Sequence, residues 1–236
     1  MSKPIIGIVG RCSQNDKKTS TIEVLDFYRK AVILNGGNPI LLLPPQNTDY
    51  YNQKVSQLEP LTDSEKEMLN NQLDLCSGVI LPGGFKTFQY DNYIVDYCIK
   101  KDKPILGICL GMQIMANYGN ISENNLPNFI SEKNSNDKII HDDEENKYVH
   151  KVNIIKNSKL FNILQHDTFK VNSLHSYHVL ESPIYNIVGY SEDGLIEAVE
   201  HPKNKFNIGV QWHPERLLDD EIQHKLITSF IKSCKE

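Results

Sequence analysis

The fold is decided by the stretch KPILGICLG, residues 103–111. Its apolar run predicts a short buried parallel strand, and the residues from Leu110 onward predict a helix. Cys109 stands at the junction, with glycines two positions before and two after it. This strand–turn–helix pattern is typical of a nucleophile elbow, where the first helical N–H groups favour a thiolate. Taken alone, the same pattern also fits a buried strand cysteine beside a tight turn.

Outward from this stretch, strand and helix patterns alternate along the first half of the chain. Apolar runs predict strands, and apolar residues at helical spacing predict the helices between them. The predicted strands span 5–10, 38–45, 77–84 and 103–109, and the predicted helices span 22–35, 64–75, 93–101 and 110–118. This order predicts a parallel, doubly wound sheet, whose sites lie beyond the carboxyl ends of its strands. Residues 46–63 read as a loop.

The second half predicts mostly antiparallel strands followed by a closing helix. The strand-like runs span 148–155, 168–175, 185–192, 195–202 and 206–213, and the helix spans 220–232. Residues 120–148 are polar and contain HDDEEN at 141–146, which we interpret as a solvated loop and not as a metal site, because adjacent acids cannot all converge on one ion. We find no repeat or linker and predict one domain over residues 1–236.

Composition narrows the class of protein. The 236 residues carry a net charge of −5, which argues against nucleic-acid binding. No apolar run approaches the roughly 20 residues that span a bilayer, and we expect no signal segment before the first strand. The five cysteines are irregularly spaced and form no CxxC pair, so we expect free thiols and a cytoplasmic protein.

Two further motifs supply possible partners for Cys109. In WHPE, residues 212–215, an extended chain would place His213 and Glu215 on one face. Glu215 could then hold one imidazole nitrogen while the other faces a thiol, which is the logic of a catalytic triad. The strand before the cysteine strand ends in a glycine pair, and the N–H of Gly84 could join that of Leu110 in an oxyanion hole.

These motifs together resemble the class I glutamine amidotransferase superfamily. Its two signatures match GICLGMQ at 107–113 and GVQWHPE at 209–215. Other stretches look like the gamma-glutamyl-gamma-aminobutyrate hydrolases: KPIIGIVG at 3–10, YRKAVILNGGNPILLLP at 28–44, GVILPGG at 78–84 and VNSLH at 171–175. The glycine pair and VNSLH are followed by residues unlike those of the hydrolases, so the leaving group stays open.

The resemblance implies a flavodoxin-like α/β domain, with a mostly parallel sheet and extra antiparallel strands in its C-terminal half. It implies that Cys109 is the nucleophile, His213 the general base and acid, and Glu215 the group that orients the imidazole. Gly84 and Leu110 would form the oxyanion hole. The substrate-binding residues that it implies are Gly83, Gln113, Asn172, Ser173 and His175. The expected reaction cleaves a small gamma-glutamyl amide through a thioester, with no metal and no organic cofactor.

Several alternatives stay open. The chain could be a glutaminase subunit that delivers ammonia to a separate synthetase, or a binding protein that kept the fold without activity. An α/β hydrolase with a cysteine in place of serine would explain the elbow. It explains the HPE motif poorly, because that fold places its histidine on a loop without an adjacent glutamate. A homodimer is also open.

Overall fold

The protein is described by a computed structural model that covers residues 2–54, 59–120, 131–133 and 139–235. Nine strands of these ranges form the main sheet, and the other six form three two-stranded sheets. The strands are β1 Ile5–Val9, β2 Arg11–Gln14, β3 Ser20–Glu23, β4 Asn38–Leu42, β5 Gly78–Leu81, β6 Ile105–Ile108, β7 Ser131–Lys133, β8 Asp142–Asp143, β9 His150–Ile154, β10 Thr168–Val171, β11 Ser173–Leu174, β12 Tyr177–Val179, β13 Asn186–Ser191, β14 Ile196–Glu200 and β15 Asn207–Val210. The helices are α1 Asp26–Leu34, α2 Asp63–Asp74, α3 Gln89–Lys101, α4 Leu110–Asn117, α5 Lys159–Leu164 and α6 Glu221–Ser233.

The main sheet joins a parallel half to an antiparallel half. Its order is β10-β9-β13-β14-β15-β6-β5-β1-β4. Strands β4, β1, β5, β6 and β15 are mutually parallel, whereas β14, β13, β9 and β10 continue the sheet in antiparallel pairs. This confirms the predicted fold class, and it places β5, the strand before the cysteine strand, directly beside β6.

Strand β15 is the element that connects the two halves. It pairs with β6 in parallel, with Gly209 opposite Gly107, and with β14 in antiparallel. Because parallel strands end at the same edge of a sheet, this pairing brings the residues after β15 next to those after β6. The two sequence motifs of the candidate site therefore meet, although about a hundred residues of chain separate them.

Local signals explain most element boundaries. The turn after α1 contains Gly36, whose φ is +83°, and the N–H groups of Gly36 and Gly37 donate to Ile33 and Val32. Helix α2 begins with a capping box formed by Thr62 and Glu65. The prediction of a helix from residue 22 was wrong at its start, because β3 pairs with β2 as a hairpin before α1 begins.

The core lies on both faces of the main sheet, as a parallel sheet covered by helices requires. All residues of β5, β6 and β15 are buried. Trp212 is fully buried, where its ring contacts Phe169 edge-on and its indole N–H donates to Gln223. These contacts fix the chain directly before His213.

Two regions differ from the sequence predictions. Helix α5, which is capped by Ser158, was not predicted. In the segment 120–148, predicted as a loop, β7 and β8 pair with β12 and β11. Residues 55–58, 121–130 and 134–138 lie outside the described residues, so the loop predictions there stay untested. No helix in the described ranges combines the length and the apolar character needed to cross a bilayer.

Candidate active site

Cys109 occupies a strained elbow between β6 and α4. Its φ of 54° and ψ of −111° are rarely adopted by residues other than glycine. The neighbouring glycine is required by packing, because a Cβ at Gly111 would lie 1.8 Å from the carbonyl oxygen of Leu81. The backbone N–H of Cys109 donates to Val210 at 2.9 Å, which ties the elbow to β15.

His213 and Glu215 follow β15 and lie at the same edge of the sheet. Nδ1 of His213 is 2.7 Å from Oε1 of Glu215, and both side chains are buried. The prediction of an extended chain here was wrong, because Pro214–Arg216 form a 3₁₀ turn. The 3₁₀ turn still places the carboxylate of Glu215 against the imidazole of His213. The two residues therefore pair through the turn and not through an extended chain.

The electrostatics of the two groups favour a thiolate beside an imidazolium. Burial alone would raise the pKa of Cys109, but the nearby His213 outweighs it and the net shift is downward. Burial would lower the pKa of His213, but Glu215 and Cys109 together raise it to about 10. Contact with the Cys109 thiol contributes to both shifts, so the imidazole of His213 is placed to exchange a proton with a group that reacts at the thiol.

Asn172 holds the backbone of His213 in place. Its side-chain N–H donates to the carbonyl oxygen of His213 at 3.0 Å, and its side-chain oxygen accepts from the N–H of His213 at 2.9 Å. The resemblance implied that Asn172 binds substrate. The structure instead buries the side chain away from the cavity and uses both of its polar atoms on the chain that carries the histidine.

A cavity of about 640 Å³ opens onto Cys109 and His213. Gly83, Gly84 and Leu110 line it as well. A Cβ at Gly83 would lie 3.3 Å from the imidazole of His213 and 3.4 Å from Cβ of Cys109, so the glycine turn abuts both groups. The N–H of Gly83 already donates to the Tyr28 hydroxyl at 3.0 Å, so the next N–H, that of Gly84, is the better candidate to face a substrate.

Three other residues implied to bind substrate have protein partners. The side-chain nitrogen of Gln113, which lines the cavity, donates to the carbonyl of Tyr177 at 2.8 Å and to Gln211 at 3.0 Å. The hydroxyl of Ser173 is fully buried and donates to the carbonyl of His141. His175 borders the cavity, but its ring nitrogens face the Tyr177 carbonyl and Glu197.

Charged groups at the cavity were missed by sequence reasoning. Arg11 forms an ion pair with Asp91 at 2.6 Å and donates to the carbonyl of Pro82, which supports the glycine turn. Arg216 also lines the cavity, as do the carboxylates of Glu23, Asp142 and Glu144. Arg216 directly follows HPE, but no spacing rule connects Arg11 or the carboxylates to Cys109.

A second buried group of ionisable side chains lies next to this site. We call it the histidine cluster, and it consists of His141, His150, His175 and Glu197. Two residues lie on strands of the antiparallel half and two flank the small β8–β11 pair, so no local motif predicts the cluster. The stretch HDDEEN, residues 141–146, contributes His141 to the histidine cluster. The acidic residues of that stretch are largely exposed, as predicted for a loop, but His141 at its start is buried.

Comparison with known proteins agrees with this architecture. The family model for Peptidase C26 matches residues 88–215, which include both sequence motifs. The chain is 29% identical to the glutamine amidotransferase-like protein RP404 of Rickettsia prowazekii, over 99% of this chain and 98% of that protein. It is 26% identical to the gamma-glutamyl-gamma-aminobutyrate hydrolase PuuD of Escherichia coli, over 100% of this chain and 95% of that protein.

Other similarities are partial or structural. The chain is 29% identical to the CTP synthase of Chlamydia muridarum over 72% of this chain but only 36% of that enzyme. A crystal structure of a glutamine amidotransferase from Thermotoga maritima superposes with a TM-score of 0.57 at 17% identity and covers 100% of this chain and 98% of that one. The protein therefore belongs to the Peptidase C26 family and is a class I glutamine amidotransferase-like protein.

Proposed function

We propose that this protein hydrolyses the amide bond of a small gamma-glutamyl compound and releases glutamate. One observation carries the proposal: the cavity contains a cysteine on a strained elbow and a buried histidine that is bound at 2.7 Å to a buried carboxylate. A buried thiolate–imidazolium pair that faces a cavity is suited to nucleophilic attack on a carbonyl. The similarity to PuuD supports a gamma-glutamyl amide as the substrate.

The first step forms a thioester. The thiolate of Cys109 attacks the gamma-carbonyl carbon, and the N–H groups of Gly84 and Leu110 stabilise the resulting oxyanion. The C–N bond then breaks as Nε2 of His213 gives its proton to the departing amine. Glu215 keeps the imidazole oriented and stabilises its charged form throughout.

The second step consumes water. His213, now neutral, accepts a proton from a water molecule, and the hydroxide attacks the thioester carbon. The tetrahedral intermediate collapses, the C–S bond breaks, and glutamate and the Cys109 thiolate are released. The steps use side chains and backbone N–H groups only.

The charges that line the cavity suit the head group of such a substrate. A gamma-glutamyl group carries one carboxylate and one ammonium group. Arg216 can pair with the carboxylate, and the nearby carboxylates of Glu23, Asp142 and Glu144 can attract the ammonium. The identity of the amine half is left to experiment, because the residues after the glycine pair differ from those of the hydrolases that the sequence resembles.

A substrate panel tests the proposal. Glutamate release is measured from glutamine, gamma-glutamyl-aminobutyrate, gamma-glutamyl-putrescine and gamma-glutamyl dipeptides, with Cys109→Ala as the blank. We expect one secondary amide to be cleaved much faster than glutamine. No release from any of these compounds, by a folded protein, would contradict the proposal.

A second function has a specific observation in its favour. The partial match to a CTP synthase supports a glutaminase that delivers ammonia to a separate synthetase. On this alternative, glutamine is the preferred substrate and its hydrolysis accelerates when the partner is present. Preference for a secondary amide, with glutamine a poor substrate, separates the two functions.

The cellular compartment is part of the proposal. All five cysteines are free thiols, which supports a reducing compartment such as the cytoplasm.

A further inference from the structure

The histidine cluster brings four potential metal ligands together from separate elements. His141 precedes β8, His150 begins β9, His175 follows β11, and Glu197 lies within β14. Their exposed fractions are 4%, 4%, 4% and 0%. One donor atom from each residue lies within 4.8 Å of the others. Such convergence of buried ionisable groups requires a chemical reason, because burial disfavours charge.

The donor atoms are spaced at or beyond the long end of hydrogen-bonding distance, a spacing that suits a bound ion. Oε1 of Glu197 is 3.7 Å from Nδ1 of His141, 3.6 Å from Nε2 of His150 and 3.4 Å from Nε2 of His175. An N–H···O hydrogen bond is normally about 2.7–3.2 Å long. In a tetrahedral zinc site with bonds near 2.0–2.1 Å, neighbouring ligand atoms lie ~3.3 Å apart.

The outer nitrogen of each ring is bound to a hydrogen-bond acceptor. Nδ1 of His150 is 3.2 Å from the carbonyl oxygen of Lys151, and Nδ1 of His175 is 3.0 Å from that of Tyr177. Nε2 of His141 is 3.1 Å from the carboxylate of Asp193. Carbonyl and carboxylate oxygens only accept, so the outer nitrogens carry the protons.

This arrangement leaves acceptors facing acceptors in the centre. A neutral imidazole that is protonated on its outer nitrogen presents a lone pair on its inner one. Those lone pairs point towards the buried carboxylate of Glu197, whose shortest contact within the cluster is the long 3.4 Å approach of Nε2 of His175. Burial alone would lower the pKa of His175, but Glu197 raises it and so favours a positive charge there. A cation between them resolves the conflict, and outer acceptors of this kind are the usual partners of metal-binding histidines.

We propose that the histidine cluster binds one zinc ion. Three imidazole nitrogens and one carboxylate oxygen form a donor set that zinc prefers, and four protein ligands make a closed site. Zinc also turns the charge of the cluster from negative to positive overall. The sequence predicted no metal, because the four positions 141, 150, 175 and 197 follow none of the usual metal-ligand spacings.

The ion would stabilise the wall of the cavity. His175 lies between Leu174, whose carbonyl oxygen is 4.0 Å from Sγ of Cys109, and Ser176 and Tyr177, which line the cavity. A zinc ion that holds His175 to Glu197 therefore fixes this wall against the central sheet. The role is structural, and it does not depend on which amide the protein cleaves.

Metal content tests the proposal directly. The protein is purified without chelators, and zinc is measured by mass spectrometry in the parent chain, in Glu197→Gln and in His150→Ala. The exposed His166 supplies a matched control, His166→Ala. We expect one equivalent of bound zinc in the parent and in the control. In the two cluster variants, zinc affinity should fall at least about tenfold, so that much less zinc stays bound through purification.

Two measurements on the parent chain keep the test decisive if a variant fails to fold. Cobalt(II) added to the metal-free protein should give the visible absorption of a tetrahedral N/O site, and zinc should raise the melting temperature. A metal-free protein that binds neither ion, or variants that fold and keep their zinc, would overturn the proposal. If the metal-free protein binds neither ion, the positive charge beside Glu197 would have to come from protonated histidines of the cluster.

Discussion

Two sites in this protein use a carboxylate to orient a histidine, and they differ in what the other side of the imidazole faces. Glu215 lies 2.7 Å from His213, whose second nitrogen faces a cavity. Asp193 lies 3.1 Å from His141, whose second nitrogen faces the buried donor atoms of His150, His175 and Glu197, the proposed zinc ligands. The same pair can therefore serve proton transfer where the site is open, and metal binding where it is closed.

The two sites share the segment 172–177, which makes their separation testable. Asn172 holds His213, the carbonyl of Leu174 approaches Cys109, and His175 belongs to the histidine cluster. A change at Cys109 should therefore alter the chemistry and spare zinc binding, and a weakened histidine cluster should spare the chemistry as long as zinc is saturating.

The largest expected effect is the loss of chemistry in Cys109→Ala. Removal of the nucleophile should lower glutamate release roughly 10⁴-fold or more, because no other thiol in the described ranges lies beside His213. Zinc content should stay at one equivalent, since Cys109 is not among the four ligands. The matched control is Cys76→Ala, a buried cysteine beneath β1, which should keep its activity. Loss of zinc together with activity would show that the sites are not separate.

Glu215→Gln should reduce kcat by about 10³- to 10⁴-fold at neutral pH. The carboxylate stabilises the imidazolium, and the imidazolium in turn lowers the pKa of Cys109, so its removal lets both shifts relax. The thiolate then forms only at higher pH. The check is the pH dependence of iodoacetamide alkylation of Cys109, whose midpoint should move upward in the variant. An unchanged midpoint would contradict the coupling of Glu215 to the thiol.

The two sites differ in how far they could be predicted from the sequence. Cys109, His213 and Glu215 lie in two contiguous motifs, and the triad pattern of those motifs predicted that they would meet. The parallel pairing of β15 with β6 that brings them together was not predicted, because residues 206–213 were interpreted as part of a mostly antiparallel half. The 3₁₀ turn at Pro214 was missed, because short turns depend on tertiary contacts more than on residue pattern. The HPE motif still indicated the pairing of His213 with Glu215, although the backbone conformation predicted for it was wrong.

The histidine cluster was beyond sequence reasoning for a physical reason. His150 and Glu197 lie on β9 and β14, which are joined through β13, and His141 and His175 flank the small β8–β11 pair; local sequence fixes none of these pairings. In the sequence, His141 opens a polar stretch and His150 and His175 lie in strand-like runs, so none of them alone indicates a metal site. The same limit applies to Asn172 and Ser173, whose predicted role in substrate binding stays a prediction: in the structure their side chains contact the backbone of His213 and His141 and do not line the cavity.

The next largest effect is expected from a change of Asp193, the carboxylate that contacts the outer nitrogen of His141. Asp193→Asn keeps the shape of the side chain but removes the charge that orients His141, so zinc affinity should fall by about 10- to 100-fold. Glutamate release at saturating zinc should stay within about twofold of the parent, because Asp193 does not line the cavity. Competition with a chromophoric chelator measures the affinity. Equal zinc affinity in the two proteins would mean that Asp193 only shapes its turn.

The smallest effect distinguishes a positioning residue from a substrate-binding one. Asn172→Ala removes two hydrogen bonds to the backbone of His213 and leaves its buried N–H and carbonyl unpaired. If the imidazole is then held less firmly, kcat should fall about tenfold, and the free energy of unfolding should fall by about 1–3 kcal/mol. KM should hardly change, because the side chain does not reach the cavity. Asn162→Ala, an exposed position in α5, is the control for the loss of an asparagine. A raised KM with an unchanged kcat would restore Asn172 to the substrate pocket and would require the segment 172–177 to move when substrate binds.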